Sequence, residues 1–170
     1  VVEPAPVAAF SGTPTSGTAP LTVSFSDQST GAVTSWAWNF GDGNTSSAQN
    51  PSHTYTTPGN YTVSLTATGP GGSDTATQVG FITVVEPAPV AAFSGTPTSG
   101  TAPLAVAFSD QSTGAVTSWA WDFGDGNVSS TQNPSHTYTA AGTYTVSLTA
   151  TGPGGSDTAT QVGFITVSLA

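Results

Sequence analysis

Hydrophobic and polar residues alternate along several short segments of this chain. From Leu21 the sequence reads Leu-Thr-Val-Ser-Phe-Ser, which places Leu21, Val23 and Phe25 on one face of a strand and hydroxyl side chains on the other. Residues 36–40 and 61–68 alternate in the same way. Residues 74–84 also read as a strand, but the parity of their apolar positions changes near Gly80, which predicts a β-bulge there.

The segments between these strands are rich in residues that reverse the chain. They read Thr-Gly-Ala, Gly-Asp-Gly-Asn, Asn-Pro-Ser, Pro-Gly-Asn and Gly-Pro-Gly-Gly, and no stretch with helical periodicity competes with them. Short strands at regular spacing without helices are typical of an antiparallel β-sandwich of the immunoglobulin-like type. The pattern therefore predicts an all-β fold.

The chain contains the same module twice. Residues 84–166 repeat residues 1–83 without insertion or deletion, and only eight positions differ. Each copy is long enough to bury its own core, so we predict two tandem β-sandwiches, at residues 1–84 and 85–170. Duplication favours binding or spacer modules over a catalytic site. The reach or avidity of such modules increases with each copy, whereas a catalytic site is usually built once.

The eight differences provide an internal check on the predicted strands. All of them fall on predicted outer strand faces or in or beside predicted turns, and none changes a proposed core residue. The differing pairs are Thr22 and Ala105, Ser24 and Ala107, Asn39 and Asp122, Thr45 and Val128, Ala48 and Thr131, Thr57 and Ala140, Pro58 and Ala141, and Asn60 and Thr143.

The charge of the chain excludes several kinds of partner and chemistry. It has no Lys or Arg, nine acidic residues and a formal net charge of −9. A cluster of phosphates would meet only repulsion from this chain, so we expect no nucleic acid partner. No hydrophobic run approaches 18 residues, so we expect no insertion into a membrane. The absence of Cys excludes disulfides and thiolate chemistry. The surface of hydroxyl groups suits the outside of a cell, and we interpret the chain as a mature or excised piece.

Three ordered motifs identify a family resemblance. Trp38–Gly43 reads Trp-Asn-Phe-Gly-Asp-Gly, Asn50–Tyr55 reads Asn-Pro-Ser-His-Thr-Tyr, and Gly59–Leu65 reads Gly-Asn-Tyr-Thr-Val-Ser-Leu. This order closely resembles the signature of the polycystic kidney disease (PKD) domain, and the second copy, with Asp122 inside the first motif, is even more typical. The resemblance implies a β-sandwich of extracellular proteins, including archaeal surface-layer proteins and accessory regions of secreted proteases and polysaccharide-degrading enzymes.

The resemblance and the duplication together predict a function. We expect an extracellular structural or adhesive module, a stalk, coat or fibre subunit of a cell-surface or surface-layer protein, which contacts like modules or neighbouring surface proteins. The alternative is a polysaccharide-binding accessory piece of a secreted hydrolase. We expect no enzyme and no catalytic residue, because neither copy offers a recognisable nucleophile or a cation to stabilise a developing negative charge.

Some PKD domains bind calcium through an acidic loop before the tryptophan strand, so the carboxylates need their own assessment. Here that loop, residues 26–33, holds one carboxylate, whereas calcium prefers six to eight oxygens with several carboxylates. No cofactor is required, and a weak calcium site is the remaining hypothesis. Its candidate ligands are Asp27, Asp42, Asp110, Asp122 and Asp125. Asp122 gives the second module one more carboxylate, so calcium binding is expected to favour that module.

The aromatic and histidine residues have a structural and a functional interpretation. Trp36, Trp38, Trp119 and Trp121 are the candidates for a sugar-stacking platform, although the spacing with Phe40 makes at least one Trp of each pair a core residue. His53 and His136, in a short segment between strands, are expected to be hydrogen-bonded structural residues. Asp42 and Asp125 are expected to cap backbone N–H groups in the Gly-Asp-Gly turn.

Two further features concern the surface and the junction. Asn44, Asn60 and Asn127 begin glycosylation sequons, two of them in equivalent turns.

Between the copies, the chain passes from one final strand to the next module through Glu86-Pro87-Ala88-Pro89. Proline fixes φ and favours an extended, semi-rigid spacer. The junction therefore predicts modules arranged end to end.

Overall fold

The computed structural model describes residues 2–169, and they form sixteen β-strands in two compact units that divide between Glu86 and Pro87. No helix among these residues has the length and apolarity needed to cross a lipid bilayer. We call the unit before the division module 1 and the unit after it module 2. The strands of module 1 are β1 (Phe10–Thr13), β2 (Ser16–Thr18), β3 (Leu21–Asp27), β4 (Ser35–Asn39), β5 (Thr45–Ser46), β6 (Ser52–Tyr55), β7 (Gly59–Gly69) and β8 (Gly72–Val85).

Module 2 repeats this order of strands. Its strands are β9 (Phe93–Thr96), β10 (Ser99–Thr101), β11 (Leu104–Asp110), β12 (Ser118–Asp122), β13 (Val128–Ser129), β14 (Ser135–Tyr138), β15 (Gly142–Gly152) and β16 (Gly155–Ser168).

Each module is a sandwich of a three-stranded and a five-stranded sheet. In module 1 the sheet orders are β1-β3-β6 and β2-β8-β7-β4-β5, and module 2 has the same two sheets. The prediction of two tandem immunoglobulin-like β-sandwiches is confirmed. One pair in each sandwich is parallel, β2 with β8 and β10 with β16. The parallel pair arises because the chain leaves β1 in one sheet and continues as β2 along the edge of the other.

The inner faces of the two sheets form one apolar core per module. Val23 and Phe25 from β3 face Trp38 from β4 and Val63 and Leu65 from β7, and all of these side chains are buried. The alternation in the sequence predicted these inward positions correctly. The Tyr55 side chain closes the core at one end, where its hydroxyl donates a hydrogen bond to the Phe40 carbonyl at 3.0 Å.

The bulge predicted near Gly80 is confirmed. The pairing of β7 with β8 shifts between Tyr61 and Val63, and Gly80 takes a φ of +60°. The same shift recurs between Tyr144 and Val146 in module 2. The bulge lets β8 turn its later residues, including Ile82, back into the core.

Four short strands in each module were not predicted, and one of them changes the setting of a candidate residue. His53 lies on β6 and pairs with Val23 of β3, so its placement in a segment between strands was wrong. β6 is short and mixes polar with aromatic residues, so its alternation is too brief to stand out from the neighbouring turn.

Candidate functional site

The Gly-Asp-Gly turn holds a carboxylate and a histidine together. The Asp42 side chain accepts hydrogen bonds from the Asn44 backbone N–H and the Asn44 side-chain amide, each at 3.0 Å, and its Oδ2 lies 2.7 Å from His53 Nε2. The His53 ring stacks on Phe40 with the ring centroids 4.3 Å apart. Asp125 and His136 repeat this arrangement in module 2. The hydrogen bonds predicted for these aspartates and histidines are present.

The geometry of this turn requires glycine at one position above all. Gly41 has a φ of +84°, and a Cβ added to it would lie 2.3 Å from the Thr62 carbonyl oxygen. Gly43 has a φ of +94° but has open space around it. The turn therefore brings the β4 end directly against β7, where only hydrogen fits at Gly41.

The Asp42 carboxylate is stabilised in its charged form. Burial raises its pKa, but the hydrogen bonds from Asn44 and His53 outweigh burial, and the net pKa lies below the ordinary value. The pKa of Asp125 is lowered in the same way against the same opposing effect of burial. These carboxylates are suited to holding the turn and not to donating a proton.

Asp27 accepts hydrogen bonds from its own loop and from two other segments of the module. Its Oδ1 accepts the Ser29 N–H at 2.9 Å, and its Oδ2 accepts the Trp36 indole N–H at 2.7 Å and the Gln49 amide at 3.1 Å. Burial raises the Asp27 pKa, but these hydrogen bonds together lower it below the ordinary value. Asp110 has the same set of contacts in module 2.

The candidate calcium ligands are placed in separate local networks. Asp27 bonds to its loop and to Trp36, Asp42 bonds to its own turn, and Asp122 Oδ1 accepts the Gly124 N–H at 2.8 Å. Between residues 2 and 169, no group of three or more His, Asp or Glu side chains is arranged to hold a metal ion. Calcium binding stays a proposal with no cluster of ligands to support it.

The tryptophans occupy two different environments. Trp38 and Trp121 are each only 1% exposed, and their indole N–H groups donate to the Ala48 and Thr131 carbonyls at 2.9 Å. Their inclusion in a sugar platform was wrong, because each ring lies in the apolar core between the two sheets of its module. Trp36 and Trp119 are half-buried, so a sugar-binding role for them stays a prediction.

The three sequon asparagines are exposed. The Asn44 and Asn127 amides each donate to the aspartate two residues earlier, at 3.0 and 3.1 Å, and Asn60 accepts from the Thr83 hydroxyl at 2.9 Å. Exposure is compatible with glycosylation, which stays a prediction.

A groove on module 2 was not predicted. It lies on the outer face of the five-stranded sheet, where Val128, Asp122 and Ser147 form one row across β13, β12 and β15. Its volume is about 840 Å³. The residues that line it are Ala120, Trp121, Asp122, Val128, Ser129, Ser130, Thr131, Ser147 and Thr149. Asp122, Val128 and Thr131 are three of the eight positions at which the copies differ, and this clustering is the signal that could have located the groove.

Comparison with known proteins agrees with the fold and with its motifs. The profile of the PKD domain matches residues 1–84 and 85–167. Collagenase ColA of Bacillus cereus is 48% identical over 48 residues, which are 28% of this chain and 5% of that protein. The chain thus corresponds to a small part of this relative.

Two solved structures illustrate the range of similar proteins. The PKD1 domain of the Vibrio cholerae metalloprotease PrtV is 37% identical, with 47% of this chain and 96% of that domain covered and a TM-score of 0.41. The amphioxus IgVJ-C2 molecule is 16% identical, with 88% of this chain and 99% of that chain covered and a TM-score of 0.52, which shows a shared fold only. On the profile matches, which span both modules, this chain belongs to the PKD domain family as two tandem domains.

Proposed function

We propose that the chain is an extracellular structural and adhesive segment of a cell-surface protein. In this proposal its two PKD domains are joined by a short spacer and contact like modules or neighbouring surface proteins through their outer faces. The observation that carries the proposal is the short junction between the modules. Membership of the PKD family supports the extracellular setting.

Both ends of the junction are held by the module to which they belong. Val85 pairs with Thr18, and its carbonyl accepts the Ala19 N–H at 2.9 Å in module 1. Val90 exchanges two backbone hydrogen bonds with Thr113 at 2.9 Å in module 2. Only the four residues between Val85 and Val90 remain, and two of them are prolines. A segment so short and so restricted in φ supports a spacer.

The polar groups singled out in the sequence are used within the modules. Asp27, Asp42 and His53 hold loops and turns of module 1 through the hydrogen bonds described above. This use supports a structural role over a chemical one, because these groups already have partners from their own module.

The outer face of the five-stranded sheet supports contact between copies. In module 1 it presents three rows across β4, β7 and β8, and a side-chain hydrogen bond of 2.8 Å joins Thr66 to Thr75. The rows are Ser35, Thr68 and Ser73; Ala37, Thr66 and Thr75; and Asn39, Ser64 and Thr77. None of these side chains is charged. In a chain with a net charge of −9 and no cation, this face of module 1 lets two copies approach with the least repulsion, whereas module 2 carries Asp122 at the position of Asn39 on the same face.

Sedimentation equilibrium tests this contact. We expect association that increases with protein concentration and with salt, because salt screens the repulsion between acidic copies. The variant Thr66→Asp/Thr149→Asp, which places a charge at the centre of both outer faces, should reduce it. The matched control Thr56→Asp/Thr139→Asp adds the same charge at exposed positions next to the β6 and β14 ends. A monomer at every concentration and salt level, or an equal effect of both variants, would contradict the proposal.

The alternative, an accessory region of a secreted hydrolase, is supported by the similarity to collagenase ColA and to the PrtV domain. Burial of Trp38 and Trp121 removes half of the aromatic surface on which sugar binding by this region was based. If Trp36→Ala and Trp119→Ala variants kept full affinity for an insoluble polysaccharide, the remaining aromatic residues would also be excluded as a sugar-binding surface.

A further inference from the structure

We propose that the groove on module 2 is a binding site for a neutral oligosaccharide. The groove goes beyond the contacts between proteins proposed above, since it involves a different ligand and a site that only module 2 contains in this form. The groove is shallow and open to solvent, so the argument rests on the chemistry of the lining residues and on the pattern of differences between the copies.

The lining residues suit a ligand rich in hydroxyl groups. Five of them are Ser or Thr, whose hydroxyls can donate one hydrogen bond and accept others, as sugar hydroxyls do. Two of these hydroxyls already have a partner in the module, since Thr149 bonds to Thr158 and Ser129 accepts the Thr131 N–H. Asp122 adds a charged acceptor: its Oδ1 holds the Gly124 N–H, while its Oδ2 has no hydrogen-bond partner among residues 2–169. Hydrogen bonds to a charged acceptor are stronger than those between neutral groups.

One lining residue supplies an apolar contact. Val128 is 75% exposed at the edge strand β13, directly opposite Asp122. Directly opposite residues of an antiparallel pair point to the same face with Cβ atoms about 5 Å apart, so one ligand can place a C–H surface on Val128 and a hydroxyl on Asp122. Polar groups that fix orientation beside an apolar surface are the usual composition of small-molecule sites, whose volumes run from about 300 to 1,000 Å³.

Other classes of ligand fit the groove less well. Phosphate, sulfate and uronic acid groups would meet Asp122 and a chain of net charge −9 that has no cation. A neutral polyhydroxyl ligand remains.

Module 1 provides the matched comparison. At the positions of Asp122, Val128 and Thr131 it has Asn39, Thr45 and Ala48, and the residues are exposed in both copies. Three of eight differences thus change the charge, the apolar contact and one hydroxyl of a single groove. The fold does not require these changes, because Asn39 accepts the Gly41 N–H at 2.9 Å just as Asp122 accepts that of Gly124.

The test is NMR titration of the full chain with a defined panel of oligosaccharides. The neutral probes are cellohexaose, chitohexaose, mannohexaose and xylohexaose, and the acidic control is tetragalacturonate. At ligand concentrations up to about 10 mM, which covers dissociation constants near 1 mM, at least one neutral probe should shift the Val128 methyl and Ser129–Thr131 amide signals. The equivalent signals of module 1 should shift less, and the acidic control should shift neither set.

Exchanging residues between the copies makes the test sharper. Asp122→Asn/Val128→Thr/Thr131→Ala should weaken binding by about ten-fold or more, the loss expected when hydrogen bonds to a charged group are removed. Asn39→Asp/Thr45→Val/Ala48→Thr should create a second site of similar affinity in module 1. Each new residue already occurs at that position in the other copy, so both variants are expected to keep the fold, which their dispersed spectra would verify.

Three results would overturn the proposal. They are no shift with any neutral probe, equal shifts in the two modules, and shifts centred on Trp36 or Trp119 instead of the groove. Sedimentation separates this proposal from contact between modules: Thr66→Asp in module 1 lies outside the groove, so it should reduce association and leave the oligosaccharide shifts of module 2 unchanged.

Discussion

Module 1 and module 2 have the same interior and different exteriors. All eight positions at which they differ are exposed in both copies, whereas every buried core residue of module 1 has the identical residue in module 2. Side chains on the surface have changed local contacts without changing the fold. For example, Thr22 shares a hydrogen bond of 2.8 Å with Thr54 that Ala105 cannot make. The difference teaches that packing fixes the interior, while the outer faces are free to acquire binding properties.

The largest expected effect comes from removing a core tryptophan. Trp38→Ala should destabilise module 1 by about 3–5 kcal/mol, because it leaves a large cavity between the sheets. Trp121→Ala should do the same to module 2. Urea unfolding of the full chain, followed by the fluorescence of the remaining tryptophans, should show one early and one unchanged transition in each variant. Early unfolding of both modules in either variant would contradict their equivalence and independence.

The next largest effect distinguishes two glycines of one turn. Gly41→Ala combines backbone strain with a clash against the Thr62 carbonyl, whereas Gly43→Ala introduces strain alone. We expect a cost of about 1–2 kcal/mol for Gly43→Ala and a clearly larger cost for Gly41→Ala. Gly124→Ala and Gly126→Ala should repeat this order in module 2. Thermal unfolding measures the difference, and equal costs at Gly41 and Gly43 would show that the clash is relieved by movement of the turn.

Acid should weaken both modules through the same carboxylates. Asp27, Asp42, Asp110 and Asp125 have a pKa below the ordinary value of 3.8 in the folded chain. A lowered folded pKa gives stability that is present above the unfolded value and is lost as the pH falls through the folded value. The free energy of unfolding should therefore decrease below about pH 4. Asp27→Asn/Asp110→Asn should make that decrease shallower, and an unchanged profile would remove these carboxylates from the explanation.

A small effect is expected from restoring one surface contact. Ala105→Thr rebuilds in module 2 the pair that Thr22 and Thr54 form in module 1, with Thr137 as the partner. Cross-strand pairs of this kind contribute roughly 0.2–1 kcal/mol. Chemical denaturation should show a small gain for module 2, whereas Ala105→Ser, which lacks the β-branched methyl, should gain less.

The smallest effect is expected from calcium. Because the candidate carboxylates lie in separate hydrogen-bonded networks, removing divalent ions with EDTA should leave the thermal unfolding of both modules unchanged. Addition of calcium should change it little. A clear stabilisation of module 2 that Asp122→Asn abolishes would instead support the weak site considered from the sequence.

The sequence was sufficient for the features that depend on local pattern. Alternation located Val23, Phe25 and Leu65 in the core, and the parity change located the bulge at Gly80. Alternation could not distinguish Trp36 from Trp38, because both side chains point to the same face of β4. Only their positions in the folded module differ, and Trp38 is the one that lies fully in the core.

Features that depend on tertiary contacts were less accessible. β6 is too short for alternation to reveal it, and the contacts of Asp27 with Trp36 and Gln49 join segments far apart in the sequence. The groove requires three strands to lie side by side, so neither its position nor its shape follows from any single motif. Only the clustering of differences between the copies hinted at it.

The central claim is that the short junction restricts the backbone between the two modules. Nitrogen-15 relaxation of the Glu86 and Ala88 amides tests it most directly, in comparison with a variant that has four glycines inserted between Glu86 and Pro87. The account predicts order parameters of about 0.85 for both amides in the natural chain, as in a rigid backbone, and values below about 0.6 in the variant. Values below about 0.6 in the natural chain would contradict the restricted junction and the spacer function with it.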